Sequence, residues 1–141
     1  MIKKKFKFLE HTADVKFQVF GKTLEEIFEN SSLALINIIY SKKIKKKKNF
    51  KINVTGKDFE SLLYNFLEEF LFLFDSENFL ASKIKNIKII KNKNKIKLSA
   101  DIFGDDAKNY EIEMSVKAIT YNEMFIKKEN KKWLAQVVLD I

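Results

Sequence analysis

The stretch Val15-Lys16-Phe17-Gln18-Val19-Phe20-Gly21-Lys22-Thr23-Leu24-Glu25-Glu26-Ile27-Phe28 changes its period part-way along. Val15, Phe17 and Val19 alternate with Lys16 and Gln18, the pattern of a half-buried strand. Gly21 ends that strand in a turn. Thr23 to Glu26 fits a capping box, in which the first and fourth residues satisfy each other's free amides. Leu24, Ile27, Phe28, Leu35, Ile38 and Ile39 then form one helical stripe, with the small Ser31 on the same face. This helix is expected to end near Tyr40.

The same strand-to-helix step recurs downstream. Phe50, Ile52 and Val54 alternate, Gly56 turns, and Asp58 is a suitable N-cap. Leu62, Leu63, Phe66, Leu67, Phe70, Leu73 and Phe74 follow as the strongest helical stripe in the chain. Between the two units, Lys42 to Lys48 is almost all lysine and reads as a solvated loop. Its start complements the negative end of the first helix. From Ile84 the period returns to two. Ile84–Ile90 and Ile96–Ile102 flank a lysine-asparagine turn at Lys91–Lys95. Gly104-Asp105-Asp106 reads as a loop. Tyr110, Ile112, Met114 and Val116 alternate up to Ile119. Met124–Lys128 and Trp133–Leu139 form a last hairpin. With no repeat and no Gly/Pro/Ser linker, residues 1–141 are expected to form one domain. Its class is α+β: mostly antiparallel sheet of about seven strands, with two amphipathic helices packed on one face.

Composition narrows the chemistry. The 141 residues contain no cysteine and one histidine, His11. Thiol catalysis, disulfides, iron–sulfur clusters and thiolate zinc are excluded, and any metal site must be mainly oxygen. The longest uncharged stretch, Asn30 to Ser41, falls short of the roughly 20 residues of a membrane span. The basic N-terminus is not followed by an apolar signal-peptide core. A soluble, cytoplasmic protein with no membrane partner is expected. The net charge is +8, yet all 27 basic residues are lysine. Missing arginine, the favoured reader of phosphate and guanine, points to biased codon usage more than to nucleic-acid recognition. An electrostatic patch for RNA stays open as the alternative.

Catalytic templates fail. Neither Gly21-Lys22 nor Gly56-Lys57 has the glycine five positions earlier that a P-loop needs, and there is no GxGxxG or GxSxG. His11 alone reads as a structural residue, and Asp105-Asp106 as solvated loop carboxylates. Glu68-Glu69 sits on the apolar helix, where a 3.6-residue period places one at the edge of the stripe and the other in water. Two segments exceed what packing requires. Leu9-Glu10-His11-Thr12-Ala13-Asp14-Val15 crowds hydrogen-bonding side chains before a buried strand, and its plain reading is a turn leading into that strand. At the other end, Asp140-Ile141 follows the apolar strand Trp133–Leu139, so Asp140 and the Ile141 carboxylate put two negative groups together. Such a pair is costly unless solvated, protonated or bridged by a cation. A third carboxylate such as Asp14 would complete an all-oxygen site for a hard divalent ion. Spacing alone does not bring Asp14 there.

These two ends, with Gly21–Phe28, Ser61–Leu71 and Val116–Tyr121, resemble the archease family. The resemblance covers the chain nearly end to end, Lys42–Phe50 and Ile84–Asp106 excepted. It implies an accessory protein, not an enzyme. Its partner would be the tRNA-splicing RNA ligase that joins 3′-phosphate ends with GTP, and its effect would be to promote ligase guanylylation and multiple turnover. It implies a metal site, with calcium, on Asp14, Asp140 and Ile141, and it makes Lys117 and Glu69 candidates for acting on the ligase. Contact with tRNA would be weak or indirect. One departure is Asn122, where family members often carry His. Two other readings compete: a lysine-rich RNA-binding module using Lys42–Lys48 and Lys91–Lys95, and a free-standing phosphate hydrolase, for which no nucleophile or clear general base is present.

Overall fold

The computed structural model describes residues 5–9 and 14–141. Its strands are β1 (Phe6–Leu9), β2 (Asp14–Gly21), β3 (Lys48–Gly56), β4 (Phe79–Lys91), β5 (Ile96–Asp106), β6 (Ala118–Glu129) and β7 (Lys132–Asp140). Its helices are α1 (Leu24–Ile39) and α2 (Phe59–Glu77). Each helix starts at a side-chain cap. The Thr23 hydroxyl accepts the Glu26 amide at 3.1 Å. At α2 the box is reciprocal: the Asp58 carboxylate accepts the Ser61 amide at 2.7 Å, and the Ser61 hydroxyl accepts the Asp58 amide. α1 ends at Tyr40 as the stripe predicts, and α2 ends at Asn78 in the left-handed region, with φ 51°.

The strands form two antiparallel sheets, ordered β1-β2-β7-β6 and β3-β5-β4. The helices bridge them. α1 packs on β2 and β4, and α2 on β3, β4 and β6. One core results, with Phe17, Phe28, Leu35, Phe66, Leu67 and Leu139 fully buried. Phe66 sits edge-on to Phe28 at 5.5 Å and to Phe70 at 5.2 Å, so the two helices meet through aromatic rings. The fold is α+β. Among the described residues no helix is long and apolar enough to cross a membrane.

Several expectations change. β1 pairs with β2 but is too short to have shown a period. Gly104-Asp105-Asp106 is the end of β5, not a loop. Asp105 is 4% exposed, with Tyr110 donating a hydrogen bond to its carboxylate at 2.8 Å. Tyr110 to Val116 is not a strand; β6 begins at Ala118. The alternating side chains have another use there. Tyr110 packs edge-on to Tyr40 at 5.2 Å, and the Glu113 amide donates to the Ile39 carbonyl, so the segment closes over the end of α1. The lysine-rich loop has one buried member, Ile44, whose carbonyl accepts the Ser82 hydroxyl. Gly56 is required less by a turn than by a close approach. A Cβ there would lie 2.5 Å from the Leu62 amide nitrogen, so β3 and α2 touch backbone to backbone.

Candidate functional site

β2 and β7 pair along their whole length, and the register places Asp14 directly opposite Asp140. On the other side of β7, Ala118 of β6 faces Asp140. Directly opposed residues share a face, with Cβ atoms roughly 4.5–5.5 Å apart. Two carboxylates are therefore held side by side at one end of the four-stranded sheet. Asp14 is half-buried, Asp140 exposed and the adjoining Ile141 half-buried. The local reason is the alternate apolar β7 residues Ala135, Val137 and Leu139, which lock the register against Val19, Phe17 and Val15. A one-residue slip would turn Val137 and Leu139 out of the core.

Among the described residues, no three His, Cys, Asp or Glu side chains converge closely enough to hold a metal. Among the described residues, Asp14 and Asp140 bring two carboxylates to this end. Their chemistry fits a hard cation. Glu10, His11, Thr12 and Ala13, read as a turn leading into the strand, lie outside the described residues.

The Lys117 amide donates to the Asp140 carbonyl at 2.8 Å, tying the acid pair to a second feature. The Lys117 side chain lines a groove of about 590 Å³ between β3 and α2 with Thr55, Asn65, Glu68, Glu69 and Asp75. Lys117 and Glu69, far apart in sequence, thus share one cavity. Glu68 is exposed and Glu69 half-buried, the division that helical periodicity requires. Burial pushes the Glu69 carboxyl above the usual carboxylate range, and the neighbouring Glu68 adds to it. Phe72, 61% exposed, also lines the groove. Its signal in the sequence was a phenylalanine standing off the apolar stripe. Thr55 and Asn65 had no signal; only the pairing of β3 with α2 brings them in.

β6 bulges between Thr120 and Phe125. Tyr121 in the bulge stacks flat on Tyr64 of α2, with centroids 4.2 Å apart. Gln136 donates to the Glu123 carbonyl and accepts from Gln18, and Lys16 pairs with Glu123 at 3.0 Å. Asn122 is exposed, with its amide donating to the Thr120 hydroxyl.

A family model described as the archease protein family matches residues 6–141. The chain is 39% identical to Protein archease of Methanosarcina barkeri over 141 residues, 98% of this chain and 97% of that protein. It is 43% identical to Protein archease of Pyrococcus furiosus over 136 residues, 94% of this chain and 95% of that one. The solution structure of Methanobacterium thermoautotrophicum protein 1598 superposes with a TM-score of 0.84 at 34% identity, covering 96% of this chain and 98% of that one. The crystal structure of a Thermotoga maritima protein described as an archease, possible chaperone, superposes with a TM-score of 0.61 over all of this chain and 98% of that one. At 18% identity that likeness shows the fold alone.

Proposed function

Because the chain belongs to the archease family, we propose that it is a cytoplasmic accessory protein that activates the tRNA-splicing RNA ligase and is not itself a catalyst. The step it promotes is ligase guanylylation, in which the ligase takes GMP from GTP and pyrophosphate leaves. The observation that carries this reading is the register pair Asp14–Asp140, which joins the two chain ends singled out in the sequence. Asp14, Asp140 and the Ile141 carboxylate would hold a divalent cation, calcium in this reading. When bound, the ion offsets negative charge on phosphate.

The chain's own residues do the rest. Asp14 and Asp140 are held at fixed spacing by the β2–β7 ladder, so the donors are preorganised. Lys117 presents a compact positive charge toward phosphate from the neighbouring groove. Glu69, whose carboxyl pKa is raised above its ordinary value by burial, lines the same groove.

Transfer of labelled GMP to the ligase tests this. Wild type should accelerate labelling, and Lys117→Ala and Glu69→Ala should weaken the acceleration at least tenfold without unfolding the protein. Unchanged acceleration by both variants would remove the groove from the mechanism.

A further inference from the structure

The outer face of the three-stranded sheet carries neither the Asp14–Asp140 pair nor Lys117 and Glu69. Its helices cover the other face, so the side chains of Lys51, Lys83, Lys85, Lys88 and Lys97 project to solvent. Register shows how they are arranged. Lys51 and Lys85 flank Asp101 from the two sides, and Lys88 lies opposite Ser99 in the next row. Asp101 is the one acid in these rows, and its carboxylate accepts a hydrogen bond from Asn86 at 2.9 Å. A shallow groove of about 610 Å³ runs over Lys51, Lys88, Asn53, Ser99 and Asp101. A second, of about 440 Å³, continues it past Lys95 and Lys97.

The geometry points to this face as a docking surface for the backbone of single-stranded RNA. Five ammonium groups against one carboxylate make the surface complementary to a polyanion. Three strands spaced roughly 4.8 Å apart give a track about 10 Å across, the width of one nucleic-acid strand and too narrow for a duplex. Asn and Ser between the lysines supply hydrogen-bonding groups for phosphate oxygens and the 2′-hydroxyl. Among the described residues the aromatic of this face is Phe103, half-buried and engaged by the Lys85 ammonium 5.3 Å from its centroid, so lysines rather than rings dominate the surface. Binding is therefore through phosphate, independent of sequence and steeply dependent on salt. The choice of RNA over DNA rests on the RNA-ligation reading. The face itself lies on a different sheet from the Asp14–Asp140 pair.

The test is fluorescence anisotropy of a labelled, unstructured 12-nucleotide RNA with this protein alone, across a salt series. Four phosphate contacts give a log–log salt slope of about −2.8, an affinity loss of about 50-fold between 50 and 200 mM. The triple variant Lys51→Gln, Lys85→Gln, Lys88→Gln should flatten the slope by about 2. The control Lys42→Gln, Lys43→Gln, Lys46→Gln, with the same net charge, should leave it unchanged. Asp101→Asn should tighten binding severalfold. Equal loss in both triple variants, no binding by wild type at 50 mM salt, or equal affinity for an acidic peptide or for an RNA duplex would overturn the proposal. Because no ligase is present, failure here leaves ligase activation standing, and failure of activation leaves this result standing.

Discussion

Asp140→Asn separates a charged pair from a cation site by the sign of its effect. Asp140 faces Asp14 in the β2–β7 register, and the substitution keeps the size and shape of the side chain while removing one charge. Like charges directly opposite on a sheet cost about 0.2–1 kcal/mol. A chain of 141 residues unfolds with an entropy near 0.3 kcal/mol/K, so 1 kcal/mol moves Tm by about 3 °C. In chelator the variant should therefore melt about 1–3 °C above wild type. With calcium at 100 times its dissociation constant, wild type should gain about 2.7 kcal/mol, or about 9 °C. The variant, short of one donor, should gain little. The order of stability should reverse between the two conditions in thermal unfolding followed by circular dichroism. A variant less stable than wild type in chelator, or one with the full calcium shift, would rule out a repulsive pair bridged by the ion.

Other outcomes follow from burial and approach. Phe66→Ala removes a fully buried ring shared by both helices and should cost about 3–5 kcal/mol in urea unfolding, with an unchanged m-value. Gly56→Ala places a methyl 2.5 Å from the Leu62 amide nitrogen and should cost about 1–3 kcal/mol by the same measurement. Glu69 has a folded pKa above its unfolded one, so the stability it contributes is complete below the unfolded pKa and lost as pH rises through the folded one. Glu69→Gln should remove that part of the decline in Tm with rising pH across the carboxylate range and leave the rest of the profile in place.

Both helices were legible because their stripes and caps agree: both start at the expected caps and α1 ends at Tyr40 as read, while α2 runs on to Glu77, past the last stripe residue Phe74. The strand count was right for partly wrong reasons. β1 is four residues long and gains its stability from pairing with β2, which no local pattern reveals. Tyr110 to Val116 has a period of two but no partner strand; the Tyr110 side chain serves Tyr40 and Asp105, and the Glu113 and Met114 backbone amides cap the Ile39 carbonyl at the end of α1. Gly-Asp-Asp reads as a loop by propensity, yet Asp105 is tolerated in a strand because Tyr110 satisfies it. The carboxylates at the chain ends could be named from the sequence but not joined. Their meeting depends on β2 and β7 being neighbours, a pairing across more than a hundred residues. The groove that unites Lys117 with Glu69 depends likewise on packing of α2 against β3.

Activation of the tRNA-splicing RNA ligase, proposed for this protein, predicts that the ligase turns over many times in its presence. RNA joining by the cognate ligase, at low ligase concentration with GTP and calcium, measures it directly. Many products per ligase with wild type, and about one with Asp14→Ala, is the predicted result. Equal product yield with and without the protein, under every divalent metal tried, would contradict it.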